Sequence, residues 1–224
     1  MAKNASVQVA TARIPRIHVL AGVNGAGKSS VGGEQIRARG AQYYNPDEVA
    51  RQLKKSNPQL TQSQANGVAW QNGKLMLERA ISEKKDFAFE TTLGANTLTE
   101  LLIQAAEAGF EIHVWYAGLA SPEQHIARVR ARVRRGGHDI PEQDIRRRFE
   151  HSRLNLIRLM PHLTSLRIFD NSLDADPEAG KQPVPQLILR VEQGAVITDA
   201  KDLVSTPEWA RPLVAAALKQ KQKR

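Results

Sequence analysis

None of the 224 residues is cysteine, which excludes a disulfide framework and any thiolate metal site and points to a reducing compartment. Aromatic residues make up only 5% of the chain. A broad nucleic-acid face that works by stacking interleaves aromatics with basic side chains, so such a face is not expected despite the formal charge of +9. No apolar stretch is long enough to span a bilayer, and residues 1–8 lack an apolar signal region. The expectation is a cytoplasmic protein with no membrane partner.

The sequence does hold enough apolar residues, 41%, for one good core, and a single domain over residues 1–224 is the default. Its positive charge is concentrated. Between Arg128 and Arg153 there are nine Arg against Asp139, Glu142, Asp144 and Glu150, and a further basic run, Lys219–Arg224, ends the chain. A local Arg cluster that serves phosphoryl groups accounts for this pattern better than a general nucleic-acid surface, although a solvated basic helix face accounts for some of the nine.

The most informative segment is Gly22-Val23-Asn24-Gly25-Ala26-Gly27-Lys28-Ser29, followed by Ser30. It fits G-x-x-x-x-G-K-[ST], with an apolar strand-like run before it and a helix-compatible stretch after it, the context a phosphate-binding loop requires. Gly25 and Gly27 let the backbone curl with positive φ, so that consecutive N–H groups and a helix N-terminus converge on one anion. Lys28 is then expected to contact the β- and γ-phosphates of ATP, and the Ser29 hydroxyl to join the Mg²⁺ shell.

Strand and helix patterns alternate along the rest of the core. Strands are predicted at residues 14–21, 41–45, 86–92, 111–117 and 166–169. Helices are predicted at residues 28–38, from Pro46, at 61–84 with Val68, Leu75, Met76 and Ile81 as the apolar face, at 95–108, from Ser121 to about Arg134, and from Pro141 to about Met160. This predicts an α/β, P-loop NTPase fold: a parallel five-stranded sheet with helices on both faces and a helical Arg-rich lid at about 132–148. The kinase core would span 14–172. Residues 173–224 would form a C-terminal extension with a small β-hairpin (residues 186–191 and 195–198) and a helix at 207–218.

Ligands of open parallel sheets bind beyond the carboxyl ends of the strands, so the chemistry is sought there. Asp47 follows the second strand and is a candidate general base toward an acceptor hydroxyl, although an acid in a first helical turn is also favoured by the helix dipole alone. Glu90 and Thr92 are expected on one face of the third strand, Phe87 and Phe89 on the other, so that Glu90 and Thr92 meet either metal-bound water or substrate hydroxyls. Arg132 and Arg135 precede the Gly136-Gly137-His138 break, and Arg147 and Arg148 follow it, as befits a lid that stabilises transferring phosphoryl charge. Asp170 ends the fifth strand and either competes with Glu90 for the metal or starts a turn with Asn171. The six His show no metal-ligand spacing, and His18 and His113 read as core side chains.

Taken together, the phosphate loop, Asn45-Pro46-Asp47, Phe89-Glu90-Thr91-Thr92, the segment 132–138 with Arg147 and Arg148, and Asp170-Asn171-Ser172 resemble the zeta-toxin-like kinases, a P-loop family related to small-molecule kinases. The resemblance spans residues 16–172. It implies ATP- and Mg²⁺-dependent phosphorylation of a hydroxyl, on UDP-N-acetylglucosamine in the toxin members, with an antitoxin protein blocking the nucleotide site. It further implies Asp47 as catalytic base, Lys28 as phosphate ligand, Glu90 and Thr92 as substrate or metal contacts, and Arg132, Arg135 and Arg148 as grips on the γ-phosphate. The chain departs from that family in its Gly-Gly-His lid and in the hairpin after Gln186. The alternatives are a P-loop NTPase of another kind or a polynucleotide kinase acting on RNA. Neither an N-K-x-D nor an L-S-G-G-Q motif is present, and nucleic acid is the less favoured partner.

Overall fold

Ile17-His18-Val19-Leu20-Ala21 is buried along its whole length, as a strand covered on both faces must be. The computed structural model describes residues 13–33, 42–173 and 184–221. In it this segment belongs to β1 (Arg16–Ala21), an interior strand, third in order, of a seven-stranded sheet. The others are β2 (Gln42–Tyr44), β3 (Phe87–Thr91), β4 (Glu111–Gly118), β5 (Ser165–Asp170), β6 (Gln186–Glu192) and β7 (Ala195–Val196), in the order β2-β3-β1-β4-β5-β6-β7. The first five run parallel, with Val19 opposite Phe89 and Val114, and Leu20 opposite Glu90 and Trp115. From β1 the chain goes out to β2, and from β4 it goes the other way to β5. The crevice of the fold therefore opens at the carboxyl end of β1.

Alternation sorts the strand residues onto two faces. Ile17, Val19, Phe87, Phe89, Ile112, Val114, Leu166 and Ile168 share the larger core with side chains of the helices, whereas Leu20, Ala88, Trp115 and Ala117 form a smaller cluster with Ala26 and Val31. The helices are α1 (Pro46–Ser56), α2 (Gln62–Ser82), α3 (Asn96–Glu107), α4 (Pro122–Arg134), α5 (Glu142–Leu159), α6 (Ala200–Val204) and α7 (Arg211–Lys221). A wide helical turn, Ser29–Gly33, follows the phosphate loop; the rest of the helix expected to residue 38 lies outside the described residues.

Two features differ from the sequence reading. The C-terminal hairpin extends the main sheet: β6 pairs antiparallel with β5, and Leu189 and Val191 join the core beside Leu166 and Ile168. A long edge strand with a buried face is a liability, and β6 covers it. Gln193 and Gly194, both at positive φ, make the two-residue turn into β7. The second difference concerns α2, where Val68 and Leu75 are exposed at 42% and 59% while Ala65, Ala69, Leu77 and Ala80 are buried. Ala65 and Ala69 pack on Ala50 of α1, so the contact stripe is made of small residues that let two helices approach closely, a pattern that a search for large apolar side chains passes over.

Candidate functional site at the carboxyl edge of the sheet

The loop after β1 has the curled backbone the motif predicts, with φ of +85° at Gly25 and +76° at Gly27. Side chains at these positions would also collide, with the His125 carbonyl oxygen 2.8 Å from a Cβ at Gly25 and Asn171 Nδ2 2.3 Å from one at Gly27. Val23, Asn24 and Ala26 are buried, and Lys28 Nζ donates to the Gly22 carbonyl at 3.1 Å. Ser29 and Ser30 are exposed at the head of the helical turn.

Neighbouring elements hold this loop at three points. Asn171, just past β5, donates to the Ala26 carbonyl (2.9 Å). His125 of α4 lies with Nδ1 2.9 Å from the Asn24 carbonyl oxygen. A carbonyl can only accept, so Nδ1 carries the proton. Burial pushes the imidazole down to about 4, against the pull of this hydrogen bond, with Lys28 and Arg128 adding to the fall. The third point is Arg148 of α5, whose guanidinium donates to Asn24 Oδ1 at 2.7 Å. Burial also lowers its pKa, partly offset by Asp144.

On the other side of the crevice Asn45 caps α1, its Oδ1 accepting from the N–H groups of Asp47 (2.9 Å) and Glu48 (3.3 Å). Asn45 Nδ2 donates to Glu90 Oε1 at 3.0 Å, and the Tyr43 hydroxyl donates to the same oxygen. Glu90 is therefore buried with partners, as a carboxylate in a strand has to be. Thr92 Oγ1 accepts from the Gly94 N–H at 3.3 Å.

A cavity of about 330 Å³ lies between these groups. Asn24 forms its edge toward the phosphate loop, and Asp47, Glu90, Thr92, Arg147 and Arg148 contribute polar groups. Its far wall is α2, through Asn66, Trp70 and Lys74 at four-residue spacing, so that one helical face presents an amide, an indole and an ammonium. These three went unnoticed in the sequence; their spacing on a face that lacks large aliphatic residues was the available signal.

The nine Arg divide as neither extreme predicts. Arg130 pairs with Glu142 and Arg146 with Glu123, which ties α4 to α5, whereas the pairs Arg147–Asp144 and Arg153–Glu150 lie within α5; such pairs carry little individual weight. Arg128 donates to the Asn171 carbonyl at 2.7 Å. Arg147 and Arg148 line the cavity, Arg148 also bonding the loop, and Arg132 lies 4.0 Å from Asp47. Arg135 caps the end of α4 and is exposed, with no side-chain ion pair or hydrogen bond among the described residues. Asp170 is the turn-former of its two readings: its Oδ1 accepts from the Ser172 N–H (3.1 Å), the Ser172 hydroxyl and Trp209 Nε1 (3.2 Å). His18 and His113 are stacked in the sheet with ring centroids 4.9 Å apart; His18 is buried as expected, whereas His113 is partly exposed, its Nδ1 2.8 Å from Ser165 Oγ.

A parallel sheet with a phosphate loop after its central strand, an Arg-bearing pair of helices over it and a cavity beside it defines a P-loop kinase-like fold. The family described as AAA domain (AAA_33) matches residues 17–152, more than half of the chain, and the chain belongs to that family. An uncharacterized protein of Haemophilus influenzae is 32% identical over 129 residues, 57% of this chain and 88% of the relative. Among solved structures, the AvrRxo1-ORF1:AvrRxo1-ORF2 complex with sulphate ions is similar at a TM-score of 0.66 and 17% identity, over 88% of this chain and 65% of the other. The same pair with ATP gives 0.65. The PezAT chromosomal toxin-antitoxin system of Streptococcus pneumoniae gives 0.57 at 13% identity, over 97% of this chain and 90% of the other. At such identities the likeness is one of fold. Among the described residues no helix is long and apolar enough to cross a membrane.

Proposed function

We propose that this chain is a single-domain ATP-dependent kinase that phosphorylates a hydroxyl of a small molecule, with UDP-N-acetylglucosamine or a related nucleotide sugar as the acceptor class that the zeta-toxin-like resemblance suggests. The observation that carries the proposal is the joining of two sites by one side chain: Arg148 bonds Asn24 of the phosphate loop and lines the cavity that holds Asp47. A phosphoryl group bound at the loop and a hydroxyl bound in the cavity would meet beside a carboxylate and two guanidinium groups, and a loop devoted to hydrolysis alone has no need of the second chamber.

In this reading Lys28 and the loop N–H groups hold the β- and γ-phosphates. Asp47 accepts the proton of the acceptor hydroxyl as its oxygen bonds to the γ-phosphorus and the bond to the ADP oxygen breaks. Arg132 and Arg148 stabilise the charge on the transferring group, with Arg135 able to join only if the lid moves. Glu90 and Thr92 orient the acceptor.

The metal expected with ATP is Mg²⁺, an ion held largely through nucleotide phosphates and water. Ser29, exposed after Lys28, and Glu90 would hold it, Asp170 being engaged by Trp209 and Ser172. When bound, the ion neutralises charge on the β- and γ-phosphates.

The AvrRxo1 and PezAT structures are by name two-component assemblies, the second a toxin-antitoxin system, which supports an antitoxin-like protein partner for this chain. The test is ATP turnover with and without nucleotide sugars. Expected are an acceptor-dependent release of ADP and a phosphorylated product; hydrolysis indifferent to every acceptor contradicts the proposal. Tight, salt-sensitive RNA binding would instead favour the polynucleotide kinase alternative.

A further inference from the structure

The lid reaches the acceptor-side carboxylate through a histidine that the proposed mechanism has not used. Arg132 Nη2 donates to the His138 carbonyl at 3.1 Å, and the Arg132 side chain lies so close to Gly137 that a Cβ there would stand 2.6 Å from its Cγ. Gly136, at φ +85°, allows the chain to fold back in this way. The result is that the His138 side chain, 16% exposed, turns toward Asp47, with Nε2 3.7 Å from Asp47 Oδ1. That nitrogen is buried and has no hydrogen-bond partner among the described residues. An orphaned buried polar atom requires an account, and here the carboxylate proposed as the base lies 3.7 Å away.

We propose that His138 is a positioning residue for Asp47: its neutral imidazole closes the 3.7 Å gap by donating from Nε2 to Oδ1 when substrate draws the lid down, fixing the carboxylate toward the acceptor hydroxyl. This rests on the kinase reading of the site. The groups that face the imidazole agree with a neutral form. Burial lowers its pKa first, Arg132 and Arg51 of α1 lower it further, and Asp47 and Asp139 oppose them. A neutral donor orients Asp47 and weakens it as a base less than an imidazolium would. The device also makes the placement of the base depend on lid position, so that ATP is not spent before the lid has closed on an acceptor.

The lid's backbone anchor uses the His138 carbonyl, so side-chain variants leave it in place. His138→Ala is expected to lower kcat between about 10- and 100-fold with little change in KM for ATP, because the base remains but is misplaced. His138→Gln sets an amide nitrogen near the Nε2 position and should restore most of the rate. The wild type should lose kcat below the ordinary histidine range as the imidazole charges, and that limb should be absent in His138→Gln, which does not titrate. Full activity in His138→Ala with an unchanged pH profile overturns the proposal. So does equal loss in both variants with a raised KM for ATP, which would make His138 a seat for the lid only.

NMR titration of His138 tests the contact without turnover. Asp47→Asn removes the charge that raises the imidazole pKa and should shift its midpoint to lower pH; an unmoved midpoint overturns the proposal. A shifted midpoint in a protein that phosphorylates no acceptor would support the Asp47–His138 contact and refute the kinase reading instead.

Discussion

Asp47 follows β2 and Asp170 ends β5, both at the carboxyl edge of one parallel sheet, and both are candidates for chemistry by position. Asp170 Oδ1 takes donors from Ser172 and from the indole of Trp209, in the C-terminal extension. Asp47 makes no side-chain hydrogen bond among the described residues; it is 43% exposed, stands on a helix N-terminus and has Arg132 and His138 at ion-pair distance. One oxygen of the first carboxylate takes three donors and fastens an extension to the core. The second has lone pairs to spare beside a cavity, as a proton acceptor must.

The comparison can be broken most forcefully at the loop that serves both exits. Lys28→Ala should abolish ATP turnover and leave the melting temperature near the wild-type value, because among the described residues Lys28 Nζ makes one hydrogen bond, to a carbonyl. Retained activity would remove the nucleotide site from its place between the two carboxylates. Next in size are the arginines: Arg132→Ala or Arg148→Ala should each lower kcat by roughly 10² or more, while exposed Arg135→Ala should change it little unless the lid swings it inward. Three equal effects would contradict the division of the cluster given above.

A smaller effect separates loop support from chemistry. His125 is held neutral when folded, at about 4, below its ordinary value of 6.5. A depressed folded value means that its stabilisation is complete above about 6.5 and is lost as pH falls toward 4, up to roughly 3 kcal/mol. Denaturant titrations between pH 7 and 4 should show this loss, and His125→Gln should flatten it. Asp170→Ala should cost on the order of 1–3 kcal/mol by stranding the Trp209 N–H, with turnover per folded molecule preserved.

Local signals carried much of this arrangement. The phosphate loop was legible because glycine positions, a preceding apolar strand and a following helix start all act within a few residues, and the Asn45-Pro46 cap for the same reason. The alternation that put Phe87 and Phe89 in the core and Glu90 opposite them held as well. Long-range facts were not legible. That Asp170 faces Trp209, that β6 joins β5, or that Arg148 and His125 converge on Asn24 depends on pairings 39 or more residues apart or on sheet order. The alanine stripe of α2 was missed because small residues bury little area and leave no strong periodic signal.

The most direct measurement compares Asp47→Asn with Asp170→Asn, recording acceptor phosphorylation, ATP binding and melting temperature on the same preparations. Asp47→Asn should bind ATP normally and melt within about 1 kcal/mol of wild-type stability, the scale of a helix-dipole interaction, yet lose transfer by on the order of 10² or more. Asp170→Asn, which keeps an Oδ1 for Trp209 and Ser172, should transfer at close to the wild-type rate. Wild-type transfer from Asp47→Asn, or an equal loss from Asp170→Asn, would contradict the assignment of the base.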